Sequence, residues 1–238
     1  MISSPPWVTV LVTAAGHGSR FGHDQPKQFY PILGKSILRR TLESIQDMDF
    51  VSQIIVVLPQ EYVSDPLMHR MHTEGLDKIS AIVAGGETRQ ESVHKGLKVV
   101  SNQTQVVAIH DGARCFLTSN DLWQAIEKCF EFDGAICAHP VRDTLQKVHG
   151  EKITQTLDRK DVWAMQTPQV FRFPWILKAY DHAQENHANT TDDASVAHQY
   201  GGNICVVSSS SQNIKITYPE DILLAQAMIT MEGQEKTR

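Results

Sequence analysis

Short apolar runs recur along the chain at Trp7–Val12, Gln53–Leu58, Ile79–Ala84, Val106–His110 and Gly134–His139. Each is short and continuous, as suits a strand covered on both faces. Segments of helical character lie between them. Ile37 to Ile45 places apolar residues or threonine at 37, 38, 41, 42 and 45, a polar helical segment runs from about Val63 to Glu74, and another helix is expected from Ser119 to Phe130. Strand and helix alternating at this spacing imply right-handed crossovers and a Rossmann-like α/β fold, a mostly parallel twisted sheet flanked by helices. Ligands of such sheets collect at the C-terminal edge of the strands. Three turns leave strands at that edge, at 14–28, at Gly85-Gly86 and at Asp111, so they should meet in one cleft.

The first turn reads AAGHGSRFGHDQPKQ from Ala14 to Gln28. Gly16, Gly18 and Gly22 let backbone N–H groups approach an anion closely, because no Cβ intervenes and positive φ costs little. Arg20 and Lys27 add a planar fork and a compact point charge, and Pro26 fixes the chain just before the lysine. This is a phosphate cradle suited to a nucleotide. It is not the dinucleotide fingerprint, whose sixth position here is Phe21, nor a Walker loop, since Gly34-Lys35-Ser36 would require its first glycine at Phe29.

Composition narrows the partners. The 238 residues can form one large α/β domain and carry a formal charge of -5, from 22 basic and 27 acidic residues, which argues against a general nucleic-acid binder. No stretch approaches the ~20 apolar residues of a membrane span, and Met-Ile-Ser-Ser-Pro-Pro lacks the layout of a signal peptide, so a cytoplasmic location is expected. Cys115, Cys129, Cys137 and Cys205 form no C-x-x-C pair and read as reduced thiols. The pairs His69/His72 and His182/His187 lack a third ligand at sensible spacing and read as surface histidines.

Past Pro140 the rhythm changes. Thr144–Val148 and Lys152–Thr156 alternate around His-Gly-Glu, a hairpin signal. Such a hairpin is marginal alone, so an arm at about 141–160 is expected to pack on a second copy of the chain. Thr167-Pro168-Gln169 should introduce a strand, Pro174 to Asn186 a helix, and Asp192-Asp193 a helix that stops at Gly201-Gly202. Strands are expected at Asn203–Ser208 and Asn213–Ile216, followed by a capping box at Thr217-Tyr-Pro219-Glu220. A similar box is expected at Thr88 to Glu91. Without a linker or repeat, residues 1–238 read as one domain with an arm.

A glycine cradle, Arg20, Lys27 and an aspartate at a strand end are the parts of nucleotidyl transfer. Asp111 can hold Mg²⁺ directly or through water, or bind a ribose hydroxyl, while the cations stabilise charge building on an α-phosphate. Read as a helix cap or turn residue, Asp111 would leave only the cradle. No nucleophile is paired with a base, consistent with an acceptor phosphate whose oxygen is already anionic.

These residues resemble the methylerythritol phosphate cytidylyltransferases of non-mevalonate isoprenoid synthesis. The matching motifs, in order, are AAGHGSRFG with PKQF at 14–29, GGETRQESV at 85–93, HDGAR at 110–114, PVRDT at 140–144, TLDR at 156–159, TPQ at 167–169, TDDAS at 191–195, and NIKIT with PED at 213–221. The resemblance implies a nucleotide-diphospho-sugar-transferase type of fold, a homodimer, and a reaction joining CTP to 2-C-methylerythritol 4-phosphate with release of pyrophosphate. It implies that Arg20 and Lys27 stabilise the pentavalent transition state and that Lys215 holds phosphates of both substrates. Ala14, Ala15, Gly16, Gly86, Glu87 and Ser92 would surround the cytidine, with Gly18, Asp111 and Gly112 nearby. Thr144 and Arg159, on the arm, would reach the acceptor phosphate in the other subunit's cleft, where Thr167 and Thr191 complete the acceptor pocket. Thr13, Gly112 and Cys115 depart from the usual proline, alanine and proline, and Gly112 is expected to loosen the segment after Asp111. Two other readings remain open here: a cytidylyltransferase for ribitol 5-phosphate, which shares the cradle, and a nucleotide-binding regulator without activity.

Overall fold

The computed structural model describes residues 6–16, 18, 21–22, 26–188 and 190–235. Arg20 lies outside the described residues. In chain order the strands are β1 (Val8–Thr13), β2 (Pro31–Ile32), β3 (Lys35–Ser36), β4 (Val51–Leu58), β5 (Ile79–Ala84), β6 (Val106–Asp111), β7 (Gly134–Pro140), β8 (Leu145–His149), β9 (Lys152–Leu157), β10 (Trp163–Arg172) and β11 (Ile204–Ser208). The helices are α1 (Ile37–Gln46), α2 (Gln60–Val63), α3 (Pro66–Thr73), α4 (Arg89–Leu97), α5 (Ser119–Cys129), α6 (Trp175–Glu185), α7 (Asp193–Gln199) and α8 (Glu220–Glu235). One seven-stranded sheet runs β11-β7-β10-β6-β1-β4-β5. Its pairings are parallel except those of β10, which runs antiparallel to both β6 and β7. The expected mostly parallel sheet is therefore present, with helices on its faces.

β1, β4 and β6 are mostly apolar and buried because both faces of the seven-stranded sheet are covered there. Val8, Val10 and Val12 join one buried cluster with Ile54 and Val56, whereas Leu11, Ile55 and Val57 enter a second. On the first face α1 contributes Leu38, Leu42 and Ile45, and α5 contributes Leu122, Ala125 and Ile126. On the second, α4 supplies Val93 and Leu97, and α6 supplies Ile176, Ala179 and Tyr180. Each large side chain fully withdrawn from water contributes ~1.5–3 kcal/mol, so both stripes hold the sheet edge in place. A third cluster, with Phe21, Ile32, Ile37, Phe116, Ile216 and Ile222, packs the end of the cradle against the start of α8.

Local differences from the sequence reading have identifiable causes. The helix expected from about Val63 to Glu74 is α3, which starts later because Asp65 caps it with Pro66 in its first turn, and the short α2 precedes it. Residues 213–216 form no strand. Arg114 Nη1 donates to the Asn213 carbonyl at 2.7 Å and Lys27 Nζ to the Ile216 carbonyl at 2.9 Å, Asn213 N and Ile214 N bond locally to Ser210 O and Gln212 O, and Ile216 N makes a ladder-like bond to Ala113 O. The second capping box is also displaced. Thr217 Oγ1 donates to the Lys215 carbonyl, and Asp221 rather than Glu220 accepts from the N–H groups of Thr217 and Tyr218. At the first box Thr88 caps Glu91 N as expected, but the Glu91 carboxylate accepts from Glu87 N. The TPQ triplet lies inside β10 rather than before it.

His72 is buried rather than on the surface, with Nδ1 2.7 Å from Ser36 Oγ and its ring near Phe29. Gly112 does not loosen its segment: its N–H donates to Thr13 O, its carbonyl accepts from Thr41 Oγ1, and an added Cβ would lie 2.9 Å from that of Ala14. β8 and β9 form a separate antiparallel hairpin, with Val148 and Ile153 exposed. No helix among the described residues is long and apolar enough to cross a membrane.

Candidate active site

The ends of β1, β5 and β6 open into one cleft of about 350 Å³. Its lining includes Ala14, Ala15, Gly16, Gly18 and Lys27 from the first turn, Gly86, Glu87 and Ser92 from the second, and Asp111 and Lys215. Close contact between the turns depends on Gly85, where a Cβ would lie 2.4 Å from Ala15 Cβ and 2.8 Å from Ser92 Oγ. Ser92 Oγ accepts from Gly86 N and donates to Thr88 O, fixing the second turn onto the first turn of α4. Gln28 Nε2 donates 2.6 Å to Ala14 O and closes the base of the cradle. Gly18 adopts φ +68°, and an added Cβ there would lie 3.2 Å from Lys27 Cγ, so the loop runs close over the lysine stem.

Asp111 is the electrostatic centre. Its Oδ2 takes Lys215 Nζ at 2.9 Å and Arg114 Nε at 3.4 Å, while Oδ1 lies 3.8 Å from Arg89 Nε. Burial alone would raise its pKa, but Lys215, Arg89 and Arg114 together hold the carboxyl well below the ordinary range. The carboxylate therefore stays charged. Lys27, Arg89 and Lys215 on its walls outnumber Glu87 and Asp111 by one, so the described lining is slightly basic in a chain of net charge -5. That is the potential a triphosphate requires.

Behind Asp111, Thr167 Oγ1 accepts from Asp111 N at 2.9 Å and lies 3.1 Å from His110 Nδ1. His110 Nε2 is 2.9 Å from the Arg114 carbonyl, which can only accept, so the proton sits on Nε2 and Nδ1 accepts from threonine. Burial pushes the His110 pKa down to about 4. The folded state thus resists a proton that the unfolded chain takes up near 6.5. Stability from this group is complete above about pH 6.5 and is lost as pH falls toward 4. From pH 7.5 to 5 the linkage amounts to about 2 kcal/mol, and urea unfolding at the two pH values should show a fall of at least that order, made smaller by about that amount in His110→Gln, with buried His72 contributing the same way.

The structure brings together most of the residues singled out in the sequence. Gly112 sits behind the cleft wall, against Ala14 and Leu38. Thr167 is buried beneath Asp111, and Thr191 is exposed outside the lining. Thr144 and Arg159 are exposed on the arm and do not line the cleft of their own chain; Arg159 donates to the Arg142 carbonyl. Sequence reasoning missed Arg89, which lines the cleft and donates through both Nη atoms to Asp193 at 2.7 Å. The available signal was a basic residue in the first turn of a helix, where it opposes the macrodipole. Among the described lining residues there is no histidine or cysteine.

The sequence profile of the 2-C-methyl-D-erythritol 4-phosphate cytidylyltransferases matches residues 8–231. The chain belongs to that family. It is 40% identical to the Syntrophus aciditrophicus 2-C-methyl-D-erythritol 4-phosphate cytidylyltransferase over 95% of this chain and 97% of the relative. Identity to the enzyme of that description from Geotalea uraniireducens is 39%, over 96% and 99%. The crystal structure of the Francisella tularensis enzyme superposes with a TM-score of 0.78 at 31% identity, covering 92% of this chain and 98% of that one. The chain therefore has a nucleotide-diphospho-sugar transferase fold, a mostly parallel sheet flanked by helices.

Proposed function

We infer that this cleft transfers the cytidylyl group of CTP to 2-C-methyl-D-erythritol 4-phosphate, giving 4-diphosphocytidyl-2-C-methyl-D-erythritol and pyrophosphate. The observation that carries the residue-level reading is the convergence of the glycine cradle, Lys27, Asp111 and Lys215 in one basic cleft. An oxygen of the acceptor phosphate attacks the α-phosphorus in line, and the bond to the bridging oxygen of pyrophosphate breaks. Lys27, with Arg20, stabilises charge on the pentavalent phosphorus, and Lys215 draws the two phosphates together while keeping its contact with Asp111. The turns at Ala14–Gly16 and Gly86–Glu87, with Gly18 and Ser92 beside them, hold the cytidine.

Magnesium fits this donor set as an ion carried by the triphosphate. No group of three His, Cys, Asp or Glu gathers among the described residues, but magnesium commonly needs only one or two carboxylates besides phosphates and water. Asp111 is the carboxylate of the cleft that would hold it, directly or through water. When bound, it supplies charge neutralisation along the triphosphate.

The acceptor pocket is completed by Thr191, with Thr167 supporting Asp111 from behind, and by Thr144 and Arg159 from a second subunit. This accounts for an arm that forms its own small sheet with exposed Val148 and Ile153. The enzyme is then a cytoplasmic homodimer with composite sites. Pyrophosphate release from CTP, Mg²⁺ and the acceptor tests the activity, and silence in that assay would favour a binding protein. Arg159→Ala should raise KM for the acceptor about 10- to 100-fold, the scale of a charge-assisted hydrogen bond, with KM for CTP little changed. An unchanged acceptor KM would remove the arm from the site.

A further inference from the structure

Two links tie the first turn of α4 to the chain entering α7. Arg89 holds both carboxylate oxygens of Asp193 at 2.7 Å, and Gln90 Oε1 accepts from Thr190 N at 3.2 Å and Thr190 Oγ1 at 3.0 Å. Asp193 is fully buried, and Tyr180 Oη donates to its Oδ1 at 2.5 Å. Planar fork against planar carboxylate fixes the guanidinium in orientation as well as position. Both Nη atoms are thereby turned to Asp193, while Nε lies 3.8 Å from Asp111 Oδ1. An arginine opening α4 opposes that helix's dipole, whereas Asp193 opening α7 is favoured there, so the pair satisfies both ends together.

The same α4 turn also organises the nucleotide side. Ser92 holds Gly86 N and Glu91 holds Glu87 N. The 190–193 segment, on the other side of the bridge, contains Thr191, assigned above to the acceptor. We propose that Arg89, clamped by Asp193, is a positioning residue that sets Asp111 and the Gly86–Glu87 turn in register with the 190–193 turn, so that nucleotide and acceptor bind cooperatively. The inference rests on the function proposed above and adds a coupling between its two substrates.

The test uses the full-length chain, shown first to release pyrophosphate; failure at that stage concerns the proposed function and not the bridge. Binding of α,β-methylene CTP with Mg²⁺ is then measured by calorimetry with and without saturating 2-C-methylerythritol 4-phosphate. In the unaltered protein the acceptor should tighten the analogue about 5- to 10-fold or more. Asp193→Asn should bring that factor close to one and lower kcat by ~10- to 100-fold, the scale of a misplaced reacting group. Arg89→Lys, which keeps the charge but not the fork, should match it, and the double variant should be no worse than either single one. Gln90→Ala removes the second link without unpairing a buried charge and should reduce the factor in a protein that folds normally. A bridge that merely stabilises the fold would lower the melting temperature and leave coupling and kcat intact. That result, or no coupling in the unaltered protein, would overturn the inference.

Discussion

Lys27→Ala should lower kcat by roughly 10²- to 10³-fold, the loss that follows removal of one preorganised group facing developing charge. The bond from Lys27 Nζ to the Ile216 carbonyl is lost as well, which should lower stability by about 1–3 kcal/mol. That contact gives the side chain a fixed place between the cradle and the segment carrying Lys215, two parts of the chain far apart in sequence. If Lys27 acts on the transition state, KM for CTP moves much less than kcat. Near-normal turnover in Lys27→Ala would remove it from that role, and a large rise in KM with kcat preserved would make it a binding residue.

Asp111→Asn should have the largest combined effect. The substitution nearly preserves size but removes the negative charge that Lys215, Arg114 and Arg89 surround at 2.9, 3.4 and 3.8 Å. Arg114 is itself 8% exposed, so its charge is left with little water to compensate it. Losing one partner from a buried charge cluster costs on the order of 3–5 kcal/mol. Turnover should fall with it, since Lys215 loses the contact that holds it toward the cleft. Urea midpoints and pyrophosphate release on the same preparation separate the two effects: full stability together with full turnover would contradict the central place given to this carboxylate.

Sheet and cradle were legible in the sequence for the same reason. Strands covered on both faces leave continuous apolar runs, and turns that approach an anion or one another leave glycines, as at Gly16, Gly18 and Gly85. The hairpin was legible because its two strands alternate around a glycine-containing turn, at Gly150. The 213–217 segment was not. Ile214 and Ile216 alternate with Asn213 and Lys215 as they would in a strand, and only the fold reveals that side chains of Arg114 and Lys27 occupy the backbone groups a neighbouring strand would use. The bridge between Arg89 and Asp193 joins residues 104 apart, and local periodicity carries no information about such a pair. The displaced box at Thr217 is a matter of reach. Asp221, one residue beyond the position expected for a capping acid, accepts from the N–H groups of Thr217 and Tyr218 with one oxygen.

The central claim is that one basic cleft joins CTP to a methylerythritol phosphate. It is tested most directly by measuring kcat/KM for pyrophosphate release with CTP and Mg²⁺, using 2-C-methylerythritol 4-phosphate and ribitol 5-phosphate as alternative acceptors. The account predicts efficient turnover with the first acceptor and at least about a tenfold lower value with the second, equivalent to about 1.4 kcal/mol of transition-state discrimination. Preference for ribitol 5-phosphate, or CTP binding without pyrophosphate release from either acceptor, would contradict it.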